Sequence, residues 1–177
     1  GIVPQYDASI RNSHQRVLDE WWNEYGHDLS IALLDTYGSF GLKNFTAEQA
    51  HNWKGIRIDS GDPFVEGDAV IAMYESFGID PRTKILAPSD GLTIETMIHL
   101  ADYFTDRIKV NFGWGTNLTN DCGILPLSLV IKLAETCGNE VIKLSNTIAK
   151  ATGSPERKEQ MMRIFEYADT FNQECKY

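Results

Sequence analysis

Short apolar runs that end in polar loops recur along this chain, and helical patterns lie between them. The runs occupy residues 30–34, 55–58, 84–87 and 108–112, and the helical patterns occupy residues 40–52, 63–77 and 93–104. Such alternation is typical of parallel strands joined by crossover helices, because parallel strands need a long connection that packs on the sheet. The sequence therefore predicts an α/β fold built from four βα units.

Polar residues follow these predicted strands at the point where each strand ends. Asp35, Asp59 and Asp90 each come after a strand beside Gly, Ser or Thr, and the fourth strand runs into Gly113-Trp-Gly115. In parallel α/β folds the carboxyl ends of the strands form the functional edge, in open sheets and in barrels alike. We expect the four loops to converge on one site.

The glycine pair after the fourth strand suits an anion, since backbone N–H groups can approach a ligand where no Cβ intervenes. A phosphate is the natural ligand of such a loop. A strand followed by Gly-x-Gly is as often a tight turn, so the pattern alone leaves both interpretations open.

The DSGDP string at residues 59–63 is the densest polar cluster, and Arg57 shares a strand face with Asp59. An arginine there needs a partner, which Asp59 or an anionic ligand could supply. Asp62 before Pro63 predicts a helix N-cap. Asp90 could cap the next helix or accept hydrogen bonds from sugar hydroxyls, and spacing does not separate the two roles.

The ends of the chain carry other elements. Residues 7–25 predict an amphipathic helix whose two Trp face the core. Residues 127–133 and 141–144 predict a strand hairpin with Gly138-Asn139 at its turn, followed by a helix that opens at Ser154-Pro155. We expect a barrel portion over residues 1–125 and a hairpin plus helix over 126–177. The four histidines are predicted to lie in helices or their caps, away from any strand end.

Charge and composition exclude several classes of protein. With 16 Lys+Arg against 25 Asp+Glu, the net charge is -9, which argues against nucleic acid as a partner because phosphate neutralisation needs clustered cations. No run approaches the roughly 20 apolar residues of a membrane span. Three widely spaced cysteines and no N-terminal signal pattern predict a cytoplasmic protein with unpaired thiols.

Several strings are specific enough to suggest a family. They are WKGIRIDSGDP (53–63), GIDPR (78–82), SDG (89–91), FGWGTNLTND (112–121), PLSLVIKL (126–133) and VIKLS (141–145). Together and in this order they resemble the nicotinate phosphoribosyltransferase family. The resemblance implies part of an irregular TIM-like (β/α) barrel of the type II phosphoribosyltransferases, with an antiparallel hairpin and a closing helix.

The same resemblance implies a reaction and its cofactors. Members transfer the 5-phosphoribosyl group of phosphoribosyl pyrophosphate to nicotinate, releasing pyrophosphate and nicotinate mononucleotide for NAD biosynthesis. They require Mg²⁺ and couple ATP hydrolysis to turnover. Nearby carboxylates suit this chemistry, since the ribosyl centre becomes cationic in the transition state.

Site residues follow from the resemblance position by position. Gly113, Gly115 and Thr116 would cradle the 5-phosphate. Ribose hydroxyls would be held by Asp90 with Ser89 and Gly91. Nicotinate and the anomeric carbon would be faced by Arg57, Asp59 and Ser60, and Asp35 would help to shape the base pocket. Of these, Asp59, Arg57 and Asp90 are the predicted catalytic residues.

One family feature is missing from the sequence. The family couples ATP through a phosphorylated histidine in a His-Glu motif before a helix like 7–25, and His14, which lies inside that helix, does not take its role. We therefore expect this chain to be the C-terminal part of the enzyme, with the N-terminal half of the same enzyme as its partner, and the resemblance allows a homodimer. The alternatives are a non-catalytic fragment that assembles with another chain, or another phosphosugar-binding barrel enzyme.

Overall fold

A computed structural model describes residues 10–118, 123–124 and 129–168. Its centre is a four-stranded parallel sheet of β1 (Ile31–Leu33), β2 (Gly55–Ile58), β3 (Ile85–Pro88) and β4 (Lys109–Val110). The strands lie side by side in chain order, β1-β2-β3-β4. Ile31 pairs with Gly55, and Gly55 with Ile85, so the strands start level with one another. Their carboxyl ends consequently meet at one edge, as the alternation predicts.

One or two helices follow each of the first three strands and lead to the next strand. They are α2 (Phe40–Lys43) and α3 (Ala47–Asn52) after β1, α4 (Pro63–Ser76) after β2, and α5 (Ile94–Phe104) after β3. The prediction of one helix over 40–52 is wrong, because Thr46 starts a new helix with an extended backbone and a capping box with Gln49. After β4 the described residues hold a loop and a 3₁₀ turn, Thr116–Leu118, in place of a fourth βα helix.

The main core lies between the sheet and these helices. Leu86 of β3, Tyr74 of α4, and Leu100 and Phe104 of α5 have no solvent exposure, and Ile56 of β2 is buried beside them. At about 25 cal/mol per Å² of apolar surface, such a core is the main stabilising contribution to the fold. It holds the strands in place beneath the loops that follow them.

The N-terminal helix α1 (Ser13–Tyr25) covers one side of this core. The prediction that both of its Trp face the core is half right. Trp22 packs against the core beside Trp53, whereas Trp21 is 42% exposed and its Nε1 donates a hydrogen bond to the Leu29 carbonyl 2.9 Å away. Adjacent positions on a helix are about 100° apart, so two consecutive Trp cannot share one face.

The C-terminal part forms an antiparallel hairpin and a helix, α6 (Pro155–Ile164). The hairpin is β5 (Glu135–Thr136) with β6 (Asn139–Glu140), and its turn is Cys137-Gly138. Both turn residues have positive φ, as a two-residue hairpin turn of type I′ requires. The predicted turn and strands are therefore misplaced: residues 129–133 and 141–144 form no ladder strand, and residues 127–128 lie outside the described residues.

A second, smaller core joins this part to the sheet. Ile142, Leu144, Met161 and Phe165 are buried together, and the Phe165 ring stacks on Tyr37 with centroids 3.7 Å apart. Since Tyr37 follows β1, this contact bridges the predicted boundary at residue 125. The division into two domains stays a prediction. Within the described residues, no helix is both long and apolar enough to cross a bilayer.

Candidate functional site

The strand ends bring the predicted site residues together. At the end of β2, Arg57 Nη2 donates to Asp59 Oδ1 over 2.6 Å, and Arg57 Nε donates to Ser89 Oγ, beyond β3, over 2.8 Å. Ser60 Oγ donates to Asp35 Oδ2, beyond β1, over 2.8 Å. The partner of Arg57 in this structure is therefore Asp59, one of the two possibilities that the sequence left open.

Helix caps account for some polar residues of these loops. Asp62 caps α4 by accepting a hydrogen bond from the Phe64 N–H, with Pro63 in the first helical position, as predicted. Asp90 does not cap α5, because Thr93 does. Instead, Asp90 Oδ1 lies 2.7 Å from Lys150 Nζ. Capping thus explains Asp62, and Asp90 remains available to the site.

A cavity of about 630 Å³ opens at this edge of the sheet. Six predicted site residues line it: Asp59, Ser89, Asp90, Gly91, Gly115 and Thr116. Asp59 also borders a second cavity of about 30 Å³, which Asp35, Arg57 and Ser60 line. A space of that size holds about one water molecule. The larger cavity is therefore the one able to accept a substrate.

The glycine-rich loop beyond β4 reaches the larger cavity with only part of its length. The Gly113 N–H donates to the Pro88 carbonyl over 2.9 Å and so continues the sheet, and Gly113 lines neither cavity. Gly115 does line the larger cavity, and a Cβ added there would meet no atom within 4 Å. Any anion bound by this loop would therefore meet the backbone at Gly115 and Thr116.

Three lysines that the sequence analysis did not select complete the cavity wall. They are Lys132, Lys143 and Lys150 from the C-terminal part. Lys143 Nζ lies 2.9 Å from Asp35 Oδ2 and 3.9 Å from Asp59 Oδ2, and Lys150 Nζ donates to the Asp59 carbonyl over 2.7 Å. Two carboxylates and three ammonium groups thus surround one space in a chain whose overall charge is negative.

One of these lysines had a signal in the sequence. Apolar residues alternate with polar ones through Ile142, Lys143 and Leu144, and in an extended segment this turns Lys143 away from the core. Ile142 and Leu144 are indeed buried in the second core. Lys132 lies in the same VIKL string, at residues 130–133, but Ile131 and Leu133 beside it are exposed, so there the alternation does not mark a buried face. For Lys150 we find no comparable local pattern.

His14 corrects the prediction that the histidines lie away from the strand ends. Its Nε2 is 3.3 Å from the carbonyl oxygen of Leu33, the last residue of β1, and its side chain is buried. Burial lowers the pKa of His14, while the Leu33 carbonyl and the nearby charge of Asp35 act in the opposite direction. The ring lies beneath the site and does not line either cavity.

Similarity to known proteins decides the family. Residues 2–169 match the model of the nicotinate phosphoribosyltransferase (NAPRTase) family. This chain belongs to that family. A nicotinate phosphoribosyltransferase from Neisseria meningitidis serogroup C is 47% identical over 145 residues, which is 81% of this chain and 36% of the relative.

Solved structures show the same likeness. The crystal structure of nicotinate phosphoribosyltransferase from Vibrio cholerae matches with a TM-score of 0.85 at 39% identity, over 89% of this chain and 40% of that one. The enzyme from Porphyromonas gingivalis matches with a TM-score of 0.81 at 33% identity, over 88% and 42%. The chain therefore spans well under half the length of these members of its family.

Proposed function

We propose that this chain is the C-terminal catalytic part of a nicotinate phosphoribosyltransferase. The complete enzyme would transfer the 5-phosphoribosyl group of phosphoribosyl pyrophosphate to nicotinate and release pyrophosphate. The observation that carries this proposal is the cavity of about 630 Å³, in which Asp59 and Asp90 face three lysines beside a glycine-rich loop. Family membership supplies the identity of the reaction.

The charges of the cavity match the reacting groups. As the bond from the anomeric carbon to pyrophosphate breaks, its electron pair leaves with pyrophosphate, and the nicotinate ring nitrogen supplies the pair for the new bond. Carboxylates stabilise the cationic ribosyl centre between these events, and ammonium groups stabilise the departing anion. We assign the first role to Asp59 and the second to Lys143 and Lys150.

Five of the other predicted contacts fit the same arrangement. Ser89, Asp90 and Gly91 form one loop on the cavity wall, which suits ribose hydroxyls. Gly115 and Thr116 would bind the 5-phosphate, with Gly113 acting as a sheet residue that sets the loop's position. Arg57 lines only the smaller cavity and donates to Asp59 and Ser89, so we assign it the role of holding these two residues at the wall of the larger cavity.

Mg²⁺ fits the donor set of the cavity. The described residues contain no cluster of three His, Cys, Asp or Glu side chains that could hold a metal alone. Mg²⁺ in phosphate-transfer sites is usually held by one or two carboxylates plus the phosphates of the substrate. Asp59 and Asp90 would supply the carboxylates, and the ion would neutralise pyrophosphate charge.

The coupling to ATP rests on the resemblance alone. Its phosphohistidine would lie in the N-terminal half, which we propose as the partner that completes both the barrel and the enzyme. β1 and β4 each have only one neighbouring strand among the described residues, which leaves edges where further barrel strands could pair. Formation of a homodimer and location in the cytoplasm also stay predictions.

The competing functions make different predictions. A non-catalytic fragment that assembles through its sheet edges would not need two carboxylates and three lysines around one cavity. A phosphosugar aldolase or isomerase would need a Lys or a Glu/His pair at the strand ends. Lys143 and Lys150 approach from the C-terminal part instead, and family membership disfavours both alternatives.

Product formation tests the proposal. The protein that carries this chain together with its N-terminal half should form nicotinate mononucleotide and pyrophosphate from nicotinate, phosphoribosyl pyrophosphate, ATP and Mg²⁺, measured by liquid chromatography. Asp59→Asn should lower kcat by about 100-fold or more, the usual effect of losing an electrostatic contact to the transition state. Asp28→Asn, which alters an exposed carboxylate paired with Lys54, is the matched control. Absence of product from the wild-type pair would refute the assignment.

A further inference from the structure

Asp35 differs from the other acidic residues at the strand ends because it is buried. Only 7% of the residue is exposed, and it does not line the larger cavity. It lines the cavity of about 30 Å³, which has room for about one water molecule and not for a pyridine ring. We therefore do not assign Asp35 a direct contact with a substrate.

Three donors from the protein already surround the carboxylate of Asp35. Lys143 Nζ lies 2.9 Å from Oδ2 and 3.1 Å from Oδ1, while the hydroxyls of Ser60 and Ser145 donate to Oδ2 over 2.8 Å and 3.3 Å. Three of these contacts fall on Oδ2 and one on Oδ1, so most of the roughly four acceptor positions of the carboxylate are used within the protein. Its environment is that of a residue that holds other groups in place.

The group that it holds does reach the larger cavity. Lys143 lines that cavity, and its Nζ is also 3.9 Å from Asp59 Oδ2. A lysine side chain has four rotatable bonds and is costly to fix in one orientation without a partner. The ion pair with Asp35, formed across 108 residues of sequence, fixes that orientation.

The backbone around Ser145 supports the same function. Ser145 is fully buried with φ of +65°, a conformation that residues other than glycine rarely adopt. The segment on either side is tied down, since the Leu144 N–H donates to the Thr36 carbonyl and the Tyr167 hydroxyl donates to the Ser145 carbonyl. Strained residues that their surroundings hold in place are concentrated at ligand-binding sites.

We propose that Asp35 is a positioning residue that, together with Ser60 and Ser145, orients the Lys143 ammonium toward the pyrophosphate group in the cavity. The second half of this statement rests on the proposed function, whereas the orientation of Lys143 does not. Asp35 thus influences the site through Lys143 and not through contact with a substrate. When pyrophosphate binds, the ammonium group of Lys143 would give up its contact with Asp59 and contact the anion instead.

Chemical reactivity tests the orientation without any need for turnover. Reductive methylation followed by mass spectrometry gives the rate for each lysine in the complete protein. Asp35→Asn keeps the shape of the side chain and its acceptor for a hydroxyl, and it should raise the methylation rate of Lys143 about tenfold while leaving that of Lys54 unchanged. Asp28→Asn, which removes the exposed partner of Lys54, should leave Lys143 unaffected.

A double-mutant cycle tests the functional consequence, with inorganic pyrophosphate as the probe in calorimetric titrations. Asp35→Asn and Lys143→Met should each weaken pyrophosphate binding by about 10- to 100-fold, and the double variant should be little weaker than Lys143→Met alone. The KM for phosphoribosyl pyrophosphate should rise more than kcat falls. Ser60→Ala keeps the ion pair between Asp35 and Lys143, so it should have a smaller effect on both the methylation rate and pyrophosphate binding. It also provides a milder variant if Lys143→Met does not fold.

The outcomes separate this inference from the proposed function. An unchanged methylation rate of Lys143 in Asp35→Asn overturns the inference, whatever the activity of the wild-type protein. Additive losses in the cycle also overturn it, because they would mean that Asp35 acts independently of Lys143. Faster methylation in a protein that binds no pyrophosphate would support the orienting role and count against the proposed function.

Discussion

Two glycines in one loop have different structural roles at the residue scale. A Cβ added at Gly113 would lie 2.7 Å from the Cβ of Ser89, a contact too short to be tolerated without movement, whereas one added at Gly115 would meet nothing. Ser89 accepts a hydrogen bond from Arg57, so crowding at Gly113 would be transmitted to the site.

We therefore expect Gly113→Ala to lower the free energy of unfolding by about 1–3 kcal/mol, the usual cost of overpacking. Gly115→Ala should change it by no more than about 0.5 kcal/mol, since surface changes away from packed groups are nearly neutral. Urea unfolding measures both. Gly115→Val should keep the fold and lose affinity for phosphoribosyl pyrophosphate. Equal stability of the two alanine variants would contradict the packing described for Gly113.

His14 makes stability depend on pH. Burial lowers its pKa in the folded state below the usual value of about 6.5, so the unfolded state binds the proton more readily. The stability from neutral His14 is fully present above that usual value and is lost as the pH falls toward the lowered pKa. The slope is at most about 1.4 kcal/mol per pH unit.

Urea unfolding at about pH 7.5 and about pH 5.5 should accordingly show a smaller acid-induced loss in His14→Gln than in the wild type. Glutamine keeps an amide that can donate to the Leu33 carbonyl, and it does not titrate. His27 is exposed, so His27→Gln should behave like the wild type and serves as the control. If both variants lose as much stability as the wild type, His14 is not the group responsible.

At the scale of elements, the second core decides whether the C-terminal part reaches the site. Phe165 is fully buried and packs on the rings of Tyr37 and Phe40, with centroids 3.7 Å and 5.1 Å away. This cluster lies beside the segment that carries Lys143 and Ser145. Packing at Phe165 and order at the cavity wall should therefore be coupled.

Phe165→Ala should destabilise the protein by about 3–5 kcal/mol, the usual cost of removing a buried aromatic side chain. Amide hydrogen exchange in residues 142–147 should become faster than exchange in β2 and β3. Phe77 is 40% exposed, and Phe77→Ala is the matched control that should leave this pattern intact. Uniform acceleration across all strands would mean that the two cores unfold as one unit.

The secondary-structure elements also show where local sequence patterns are sufficient to predict the structure. Strands β1, β2 and β4 fall within the runs that the sequence marks, and β3 extends one residue beyond its run, to Pro88, because apolar runs bounded by Gly, Asp and Pro have little alternative in an α/β fold. The break between α2 and α3 was missed although its capping box, Thr46 to Gln49, is visible in the sequence. The hairpin turn is predicted one residue too late. Nothing in the sequence marks Cys137 as a residue with positive φ, because the turn itself imposes that conformation.

At the scale of the whole molecule, the candidate site is formed by parts of the chain that are distant in sequence. One wall of the larger cavity comes from the strand ends, and the other comes from residues 130–150. The strand order β1-β2-β3-β4 places successive units side by side, which is also the order of strands around a (β/α) barrel. Closure into a barrel would require the further strands that we propose the N-terminal half supplies.

The strand ends and the residues on them could be predicted from the sequence, because the order of strands and loops dictates which side chains reach the carboxyl edge of a parallel sheet. Asp59, Ser89, Asp90 and Gly115 were found in this way. The folded structure was needed to show that Gly113 serves the sheet, that Asp35 is buried, and that the C-terminal lysines enter the cavity. The physical reason is that ion pairs such as Lys143 with Asp35 join residues 108 positions apart, and no local pattern encodes such a contact.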